Sequence, residues 1–454
     1  MITTEEIQLA KHCISHATAS GATAARVSLN KSVTDACTIL NGELDKVSHS
    51  ADRSIYIYLF VDGRYGTFST NRLEEKELEE FISKAVEMVR MLGEDRCRRL
   101  PDQDRTEKNA SSGRELGLFD DAYYSIEAEE RYRNALRLSI FEKIVQNKEF
   151  SLISEECEYS CTADDMFLAD SNGLECRHSE TAFGTFSEMT IKDNEGNKYS
   201  GYWWQTSPVA NEIDFEECGR KALERAVSQI GPKKRRSGRY RMVVDTTVAS
   251  RLVTPLLTAL NASSIQQKMS FLDNSLGMQV FPEGLTLMDL ARTPGKNGSR
   301  LFDTEGVATK DTAIIENGVV KQYFVNTYLS EKMGIPPTVE DISRPCIRPY
   351  LKGRALQDKE KEVSLEDILK ASRNGIFVTG FNGGNCNPVT GDFSFGIEGF
   401  AINEGKIGHP VREMLITGNI MELWNHLTAA GSDARASSRW QIPSLAFEEV
   451  TFSA

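Results

Sequence analysis

The chain has 454 residues, of which 40% are hydrophobic and 26% are charged. This composition excludes a disordered chain, and at roughly 100–200 residues per domain the length predicts two or three domains. Acidic residues outnumber basic ones by 66 to 53, which gives a net charge of −13. Because that charge repels phosphate backbones and anionic membranes, direct nucleic-acid binding is not expected.

The location of the protein is predicted from its first residues and its cysteines. The sequence begins Met1-Ile2-Thr3-Thr4-Glu5-Glu6, without the basic and apolar regions of a signal peptide. No window approaches 18 uninterrupted apolar residues, so no membrane-spanning segment is predicted. Nine cysteines without framework spacing favour reduced thiols over a disulfide scaffold. A cytoplasmic protein is therefore expected.

The first half of the chain alternates amphipathic helices with hairpin strands. Helical periodicity predicts helices over 4–20, 75–92, 126–147 and 212–230, with a polar loop at 101–120. Alternating residues predict strands over 25–29, 54–61 and 65–69, and again from about 150 to 205. These patterns predict an N-terminal α+β domain over residues 1–230.

A basic, breaker-rich segment over 231–239 is predicted to be the linker between two domains. Its run Lys233–Arg236 could bind phosphates, but no aromatic residues interleave it, so a solvated linker is the preferred interpretation. Beyond it, a strand is predicted over 240–244 and a helix over 247–268. Turns at Glu316-Asn317-Gly318 and Glu404-Gly405-Lys406 predict hairpins. We therefore expect an α+β fold of two domains: an N-terminal antiparallel sheet with helices, and a C-terminal domain over 240–454 rich in antiparallel strands.

The histidines exclude the usual zinc-protease motifs. Six are present and none is followed by glutamate, so neither His-Glu-x-x-His nor His-Glu-x-x-x-His can form. His12 and His16 stand four residues apart on a predicted helix, opposite Ile7 and Ile14. They are interpreted as solvent-exposed side chains rather than a metal pair. No metal site, cofactor or catalytic residue is predicted in this chain.

The segment 380–396 is unusually rich in glycine and asparagine. Its small residues permit positive φ angles and close backbone approach. The segment is either an elaborate structural turn or a loop over a groove that holds an extended peptide, and composition alone leaves both open. If it borders a groove, the candidate peptide-binding residues are Gly383, Gly384, Asn385, Asn387, Asp392 and Ser394.

The same segment resembles the most distinctive stretch of the TldD/PmbA family, once called modulators of DNA gyrase. The resemblance continues through Gly399–Ile407, Pro410–Met414, Ile416–Ile420, Gly431-Ser432-Asp433 and Pro443-Ser444-Leu445. Earlier stretches resemble the family as well: Asp62–Gly66, Ser69–Asn71, Ser270–Leu272, Phe302–Gly306 and Ile315–Val319. The resemblance covers nearly the whole chain.

The resemblance implies a two-domain subunit of a dimer that encloses a peptide-binding chamber. In the family, TldD carries His-Glu-x-x-x-His and a later cysteine as zinc ligands, and PmbA (TldE) is its non-catalytic partner. Here Thr254, Pro255 and Thr258 stand at the motif positions, and Gly431-Ser432-Asp433 stands where TldD has its cysteine. Cys386 is interpreted as incidental.

The chain is thus expected to be a peptide-binding subunit of a zinc metallopeptidase that processes or degrades small peptides or proteins, inactive on its own. It would form a homodimer when alone and bind a TldD-type catalytic subunit that carries the zinc. Two alternatives are an enzyme that uses a different chemistry and a non-proteolytic binding protein. The latter would modulate DNA gyrase or a toxin–antitoxin system.

Overall fold

A computed structural model describes residues 1–144, 149–353 and 362–454 of the chain. The chain divides into two compact units, the first formed by residues 1–227, 292–309 and 326–340 and the second by 228–291, 310–325 and 341–454. The first break lies close to the predicted linker. The two later segments of the first unit differ from the predicted boundaries, and Phe302 shows why. Its side chain is buried in one apolar cluster with Leu168, Leu174 and Cys176. These residues are far from Phe302 in the sequence, so the contact could not be predicted from local patterns.

The first unit is built on a six-stranded antiparallel sheet in the order β3-β2-β1-β4-β5-β6. Its strands are β1 (Ala24–Leu40), β2 (Glu43–Val61), β3 (Arg64–Thr70), β4 (Phe150–Asp170), β5 (Glu175–Asp193) and β6 (Lys198–Ser207). Its helices in this part of the chain are α1 (Thr4–Ala19), α2 (Glu75–Arg90), α3 (Ala128–Leu138), α4 (Phe141–Ile144) and α5 (Phe215–Val227).

Two apolar clusters fix these helices on the sheet. In one, Cys13 and Ile14 of α1 and Ile82 of α2 pack with Val27 and Ile57 of the strands. In the other, side chains of α3 and α5 pack with β4 and β5. Each helix buries one apolar stripe, as its periodicity predicts.

The predicted helix over 126–147 is interrupted, and residues 145–147 of that prediction lie outside the described residues. The chain leaves α3 at Ser139, where a buried strand residue supplies the alternative bonds. The Glu155 carboxylate accepts the Ile140 N–H at 2.7 Å and also the Ser139 hydroxyl. A side-chain acceptor that captures a backbone donor competes with helix continuation.

The second unit contains a seven-stranded sheet in the order β12-β16-β17-β15-β14-β13-β7 and a small sheet in the order β10-β9-β8-β11. The strands are β7 (Gly238–Val244), β8 (Leu287–Asp289), β9 (Thr312–Glu316), β10 (Val319–Val320), β11 (Pro345–Ile347), β12 (Tyr350–Leu351), β13 (Gly375–Cys386), β14 (Asp392–Asn403), β15 (Lys406–Asn419), β16 (Leu427–Ala430) and β17 (Leu445–Ser453). The helices of the second half are α6 (Ser250–Ala259), α7 (Ala262–Gln266), α8 (Thr327–Met333, part of the first unit), α9 (Leu365–Ser372) and α10 (Ile420–Asn425).

The large sheet closes on itself. Strand β17 pairs with β15 and β16, and it also pairs with β7, so that β7, β13, β14, β15 and β17 form a ring of paired strands. All of these pairings are antiparallel except that of β7 with β13. The predicted α+β fold with a strand-rich, antiparallel C-terminal domain is confirmed.

One predicted helix, over 247–268, is two helices in the structure. The chain turns at Leu260 and Asn261, and the Asn261 side chain accepts the Ser263 N–H at 2.9 Å. Asparagine is a favoured N-cap because its side chain satisfies a free helical donor.

Among the described residues, none of the helices has the length and apolar character that a membrane-spanning segment requires.

Candidate functional site

The first element of the candidate site is the exposed face of α6, which carries Arg251, Thr254 and Thr258. These residues are three and four positions apart, so helical geometry brings them onto one face. Both threonine hydroxyls bond to their own helix: Thr254 donates to the Ser250 carbonyl at 3.0 Å, and Thr258 to the Thr254 carbonyl at 3.1 Å. These hydroxyls are therefore committed to the backbone of the preceding turn.

The opposite face of α6 is fixed in the apolar interior. Leu252, Val253 and Leu256 are buried, and the Trp424 indole N–H donates to the Leu252 carbonyl at 3.2 Å. Pro255 lies inside the helix, where it lacks the N–H that would bond to the Arg251 carbonyl. The buried stripe thus fixes which face of α6 is exposed.

The three residues at the motif positions do not fit a zinc ion. Zinc in proteins is bound by imidazole, thiolate or carboxylate groups, which Thr254, Pro255 and Thr258 do not offer. Proline also has no group that can accept a proton from water. In the segment that the resemblance aligns with the third ligand, the Asp433 carboxylate accepts the Ser444 N–H at 2.8 Å and the Ser444 hydroxyl at 2.6 Å.

The second element is the glycine-rich segment, which is a β-hairpin rather than a loop. Strands β13 and β14 pair through it, with an irregularity between Asn382 and Asn385. Gly384 has a φ of +76°, and a Cβ there would lie 1.9 Å from the Ser394 carbonyl oxygen. A Cβ on Gly396 would lie 2.4 Å from the Asn382 carbonyl oxygen. Glycine is required at both positions because the two backbones approach too closely for any side chain.

The hairpin tip is held by its own polar side chains. The Asn387 side chain accepts the Val389 N–H at 2.9 Å, and the Asp392 carboxylate accepts the Thr390 hydroxyl at 2.7 Å and the Asn419 amide at 3.0 Å. The bonds from Thr390 and Asn419 lower the pKa of Asp392 below its ordinary value. Asn387 and Asp392, predicted as groove residues, therefore stabilise the turn itself.

The other predicted groove residues differ in how closely neighbouring atoms surround them. Gly384 is fixed by its contact with the Ser394 backbone, whereas a Cβ on Gly383 would meet nothing within 4 Å. Asn385 and Ser394 are opposite each other in the β13–β14 pairing and both are exposed. The alternate residues Phe393 and Phe395 are buried. All six predicted residues are exposed. Because Gly384 is constrained by backbone contact and Asn387 and Asp392 bond to the tip, Gly383, Asn385 and Ser394 remain the candidates for contact with a peptide.

Arg251 connects the two elements. Its guanidinium donates to the Gly384 carbonyl at 2.9 Å and lies 5.1 Å from the centroid of the Phe395 ring. Phe395 in turn stacks on Phe393 at 5.3 Å and meets Phe381 edge-on at 5.7 Å. Arg251 was not among the residues predicted from the sequence. The available signal was its spacing of three and seven residues from Thr254 and Thr258 on a helix whose opposite face is apolar.

Cys386 ends β13 and is half-buried. Its thiol lies 3.6 Å from the Gly391 carbonyl oxygen as a donor. Burial, together with the nearby Asp392 carboxylate, raises the pKa of Cys386 above its ordinary value. Reactive cysteines have lowered pKa values, so this thiol has the opposite electrostatic setting.

One cavity of the second unit, with a volume of about 530 Å³, lies away from the hairpin. Its lining includes Arg241, Lys352, Ser372 and Glu448, and none of the six predicted groove residues. This cavity is therefore separate from the predicted groove residues.

Comparison with known protein families covers most of the chain. Sequence models of the PmbA/TldA metallopeptidase match in three parts: domain 1 over residues 25–89, the central domain over 120–230 and the C-terminal domain over 237–454. The chain belongs to the PmbA/TldD family. The C-terminal match includes the whole of α6 and the glycine-rich hairpin, and the central match ends where the linker was predicted.

Individual members of the PmbA/TldD family agree with this assignment. A crystal structure of a candidate modulator of DNA gyrase from Bacteroides thetaiotaomicron is 37% identical and superposes with a TM-score of 0.92 over 100% of both chains. The metalloprotease PmbA of Escherichia coli O157:H7 is 25% identical over 94% of this chain and 91% of its own length. A crystal structure of TldE from Thermococcus kodakarensis is 18% identical, with a TM-score of 0.79 over 98% of this chain and 100% of its own, and shares the fold.

Proposed function

We propose that this chain is a non-catalytic, peptide-binding subunit of a PmbA/TldD-type zinc metallopeptidase that processes or degrades small peptides and proteins. The observation that carries the proposal is that Thr254, Pro255 and Thr258 of α6 offer no zinc ligand and no general base. Thr254 and Thr258 stand where the catalytic relatives would place zinc ligands, and their hydroxyls bond to the carbonyls of their own helix. Pro255 stands where a general base would be required. Several relatives are named metalloproteases, and the family's chemistry is supplied by a different chain in this proposal.

The open edge of β13 supports peptide binding. Strand β7 pairs with β13 only over Gly375–Val378, and β14 covers the other edge. From Phe381 to Cys386, no strand in the described parts of the chain pairs with the remaining edge. Such an edge can accept an extended peptide through main-chain hydrogen bonds. The exposed side chains of Asn385 and Ser394 would then contribute polar contacts beside the peptide.

The partner in this proposal is a TldD-type chain that carries the His-Glu-x-x-x-His motif and the zinc ion. The chain forms a homodimer when alone and exchanges into a mixed dimer when that partner is present. All nine cysteines are free thiols in the structure, which supports a reducing compartment such as the cytoplasm.

The proposal is tested by reconstitution. The chain is purified alone and together with a motif-bearing homologue from the same organism, and cleavage of an unstructured peptide is followed by mass spectrometry. Cleavage is expected only in the mixed sample, and it should disappear when the first motif histidine of the partner is changed to alanine. Robust metal-dependent cleavage by this chain alone, with no partner detected, would overturn the proposal.

A second candidate function is modulation of DNA gyrase without proteolysis. It is favoured by one observation, the 37% identity to the Bacteroides protein named as a candidate gyrase modulator. Gyrase supercoiling measured with and without the purified chain tests it. Because the net charge is −13, such an effect would be expected through protein contact rather than DNA binding.

A further inference from the structure

Three potential metal ligands converge between α1 and α2, in the first unit and outside the α6–hairpin site. His12 and His16 lie one turn apart on α1, and Glu79 lies on α2. One ligand atom from each of the three lies within 4.8 Å of the others. The His12 Nε2 atom is 2.8 Å from the Glu79 Oε1 atom, and the His16 Nδ1 atom is 3.9 Å from the same oxygen. In the described residues, this is the one group of three or more His, Cys, Asp or Glu side chains that could hold a metal ion.

These two distances bracket the separation between ligand atoms around a tetrahedral metal ion. With zinc bonds of roughly 2.0–2.1 Å, two ligand atoms on a tetrahedron are about 3.3 Å apart. The observed 2.8 and 3.9 Å separations lie on either side of that value. The His12 and His16 nitrogen atoms lie within 4.8 Å of each other, so rotation of the three side chains on fixed helices could bring the ligand atoms around one ion. Two imidazoles and one carboxylate are a ligand set that proteins use for Zn²⁺.

The surroundings resemble those of a built metal site. The second ring nitrogen of His16, Nε2, lies 2.9 Å from the Ser83 hydroxyl. This bond orients the ring, and with the proton on Nε2 the Nδ1 lone pair faces Glu79, as outer-shell partners of metal-bound histidines do. Glu75 adds a further carboxylate 3.7 Å from His12 Nε2. Water could complete the coordination, because the side chains of His12 and Glu79 are 40% and 36% exposed.

Capping and apolar packing stabilise the two helices that carry the ligands. Helix α1 begins with a capping box in which the Thr3 hydroxyl accepts the Glu6 N–H and the Glu6 carboxylate accepts the Thr3 N–H. The buried stripes of α1 and α2 share one apolar cluster. His12 and His16, interpreted from the sequence as solvent-exposed, are instead partly buried, and their rings bond to Glu79 and Ser83 of α2. The helical wheel located the apolar stripe but not the second helix beside it.

We propose that His12, His16 and Glu79 form a divalent metal site that binds Zn²⁺ and links α1 to α2. The site revises the expectation that the chain holds no metal, but it leaves α6 without one. It is independent of the proposed peptidase partnership. The competing explanation is an ordinary hydrogen bond between His12 and Glu79 with no ion.

The test is a zinc titration of the full chain, stripped with a chelator and exchanged into a non-coordinating buffer. Calorimetry is expected to show one Zn²⁺ per chain, and zinc should raise the Tm. His12→Ala and His16→Ala should each weaken binding by at least ~100-fold, whereas loss of the orienting hydroxyl in Ser83→Ala should weaken it about tenfold. Co²⁺ in the same site should give visible absorption bands that His16→Ala removes.

His49→Ala is the matched control, because His49 also pairs with a carboxylate, Asp35 at 2.9 Å, but has no second imidazole. Its zinc affinity should equal that of the unmodified chain. His12→Gln and His16→Gln, checked by circular dichroism, cover the case in which an alanine variant fails to fold. Absence of zinc binding, or binding unchanged in the folded His12→Gln/His16→Gln double variant, overturns the proposal.

Discussion

The Arg251 guanidinium donates a hydrogen bond to the Gly384 carbonyl at 2.9 Å and so joins α6 to the glycine-rich hairpin. The same group lies over the Phe395 ring. Both contacts are lost in Arg251→Ala, which should lower the free energy of unfolding by about 1–2 kcal/mol. Denaturant unfolding followed by fluorescence measures this change. Arg239→Ala is the control, since that side chain is 70% exposed and makes a surface ion pair at 3.6 Å with Glu449. Equal effects of the two changes would contradict the proposed link.

Two neighbouring glycines separate the effect of backbone conformation from that of close contact. Gly383 and Gly384 both have positive φ angles, but only at Gly384 would a Cβ collide with backbone, at 1.9 Å from the Ser394 oxygen. Gly383→Ala should therefore cost about 1 kcal/mol for the left-handed conformation, and Gly384→Ala about 3 kcal/mol because overpacking is added. The urea midpoints of the two variants give the comparison. A Gly384→Ala variant as stable as Gly383→Ala would show that the strands do not approach as closely as described.

Local patterns predicted much of the fold. The helix over Thr4–Ala19 and the hairpins at Asp62-Gly63 and Asn317-Gly318 follow from periodicity and turn residues. The pairing of β17 with β7 could not be predicted, because it joins strands separated by some two hundred residues and depends on tertiary packing. The inclusion of Phe302 in the first unit has the same cause.

The site was predicted in part. The composition of segment 380–396 predicted positions that require glycine, and backbone contacts at Gly384 and Gly396 require it there. Composition could not distinguish exposed residues that stabilise the tip, such as Asp392, from exposed residues that remain candidates for contact with a peptide, such as Ser394. That distinction depends on hydrogen-bond partners, among them Asn419, which are distant in sequence.

Pro255 offers a test of how α6 tolerates its irregular residue. Because Pro255 has no N–H, the Arg251 carbonyl lacks its helical donor. Pro255→Ala supplies that donor and a better helix former, so the free energy of unfolding should rise by about 1 kcal/mol, even after the gain in unfolded-state entropy. Pro336→Ala, in an irregular segment, is the control and should be neutral or slightly destabilising. Destabilisation by Pro255→Ala would mean that the proline fits its surroundings better than a regular turn.

The threonines at the motif positions should be dispensable for peptide cleavage by the mixed complex. Since both hydroxyls bond to their own helix, Thr254→Val and Thr258→Val should leave kcat and KM within about twofold. Asn385→Ala removes an exposed polar group beside the open strand edge. We expect KM to rise roughly fivefold while kcat stays unchanged, because about one hydrogen bond to the peptide is lost. A large fall in kcat in either valine variant would assign a catalytic role to α6.

The pH dependence of Cys386 alkylation tests the electrostatics of the hairpin tip. Burial and the Asp392 carboxylate raise the pKa of this thiol, so its thiolate is scarcer at neutral pH than that of a free cysteine. The rate of reaction with iodoacetamide, followed by peptide mass spectrometry, should keep rising above the pH at which a model thiol peptide reaches its plateau. Asp392→Asn removes the negative charge and should shift the profile to lower pH, although burial keeps it above that of the model peptide. Glu398→Gln, which neutralises a carboxylate farther along β14, should leave the profile unchanged. If Asp392→Asn moves the profile to higher pH or not at all, the carboxylate does not act on Cys386 as the geometry indicates.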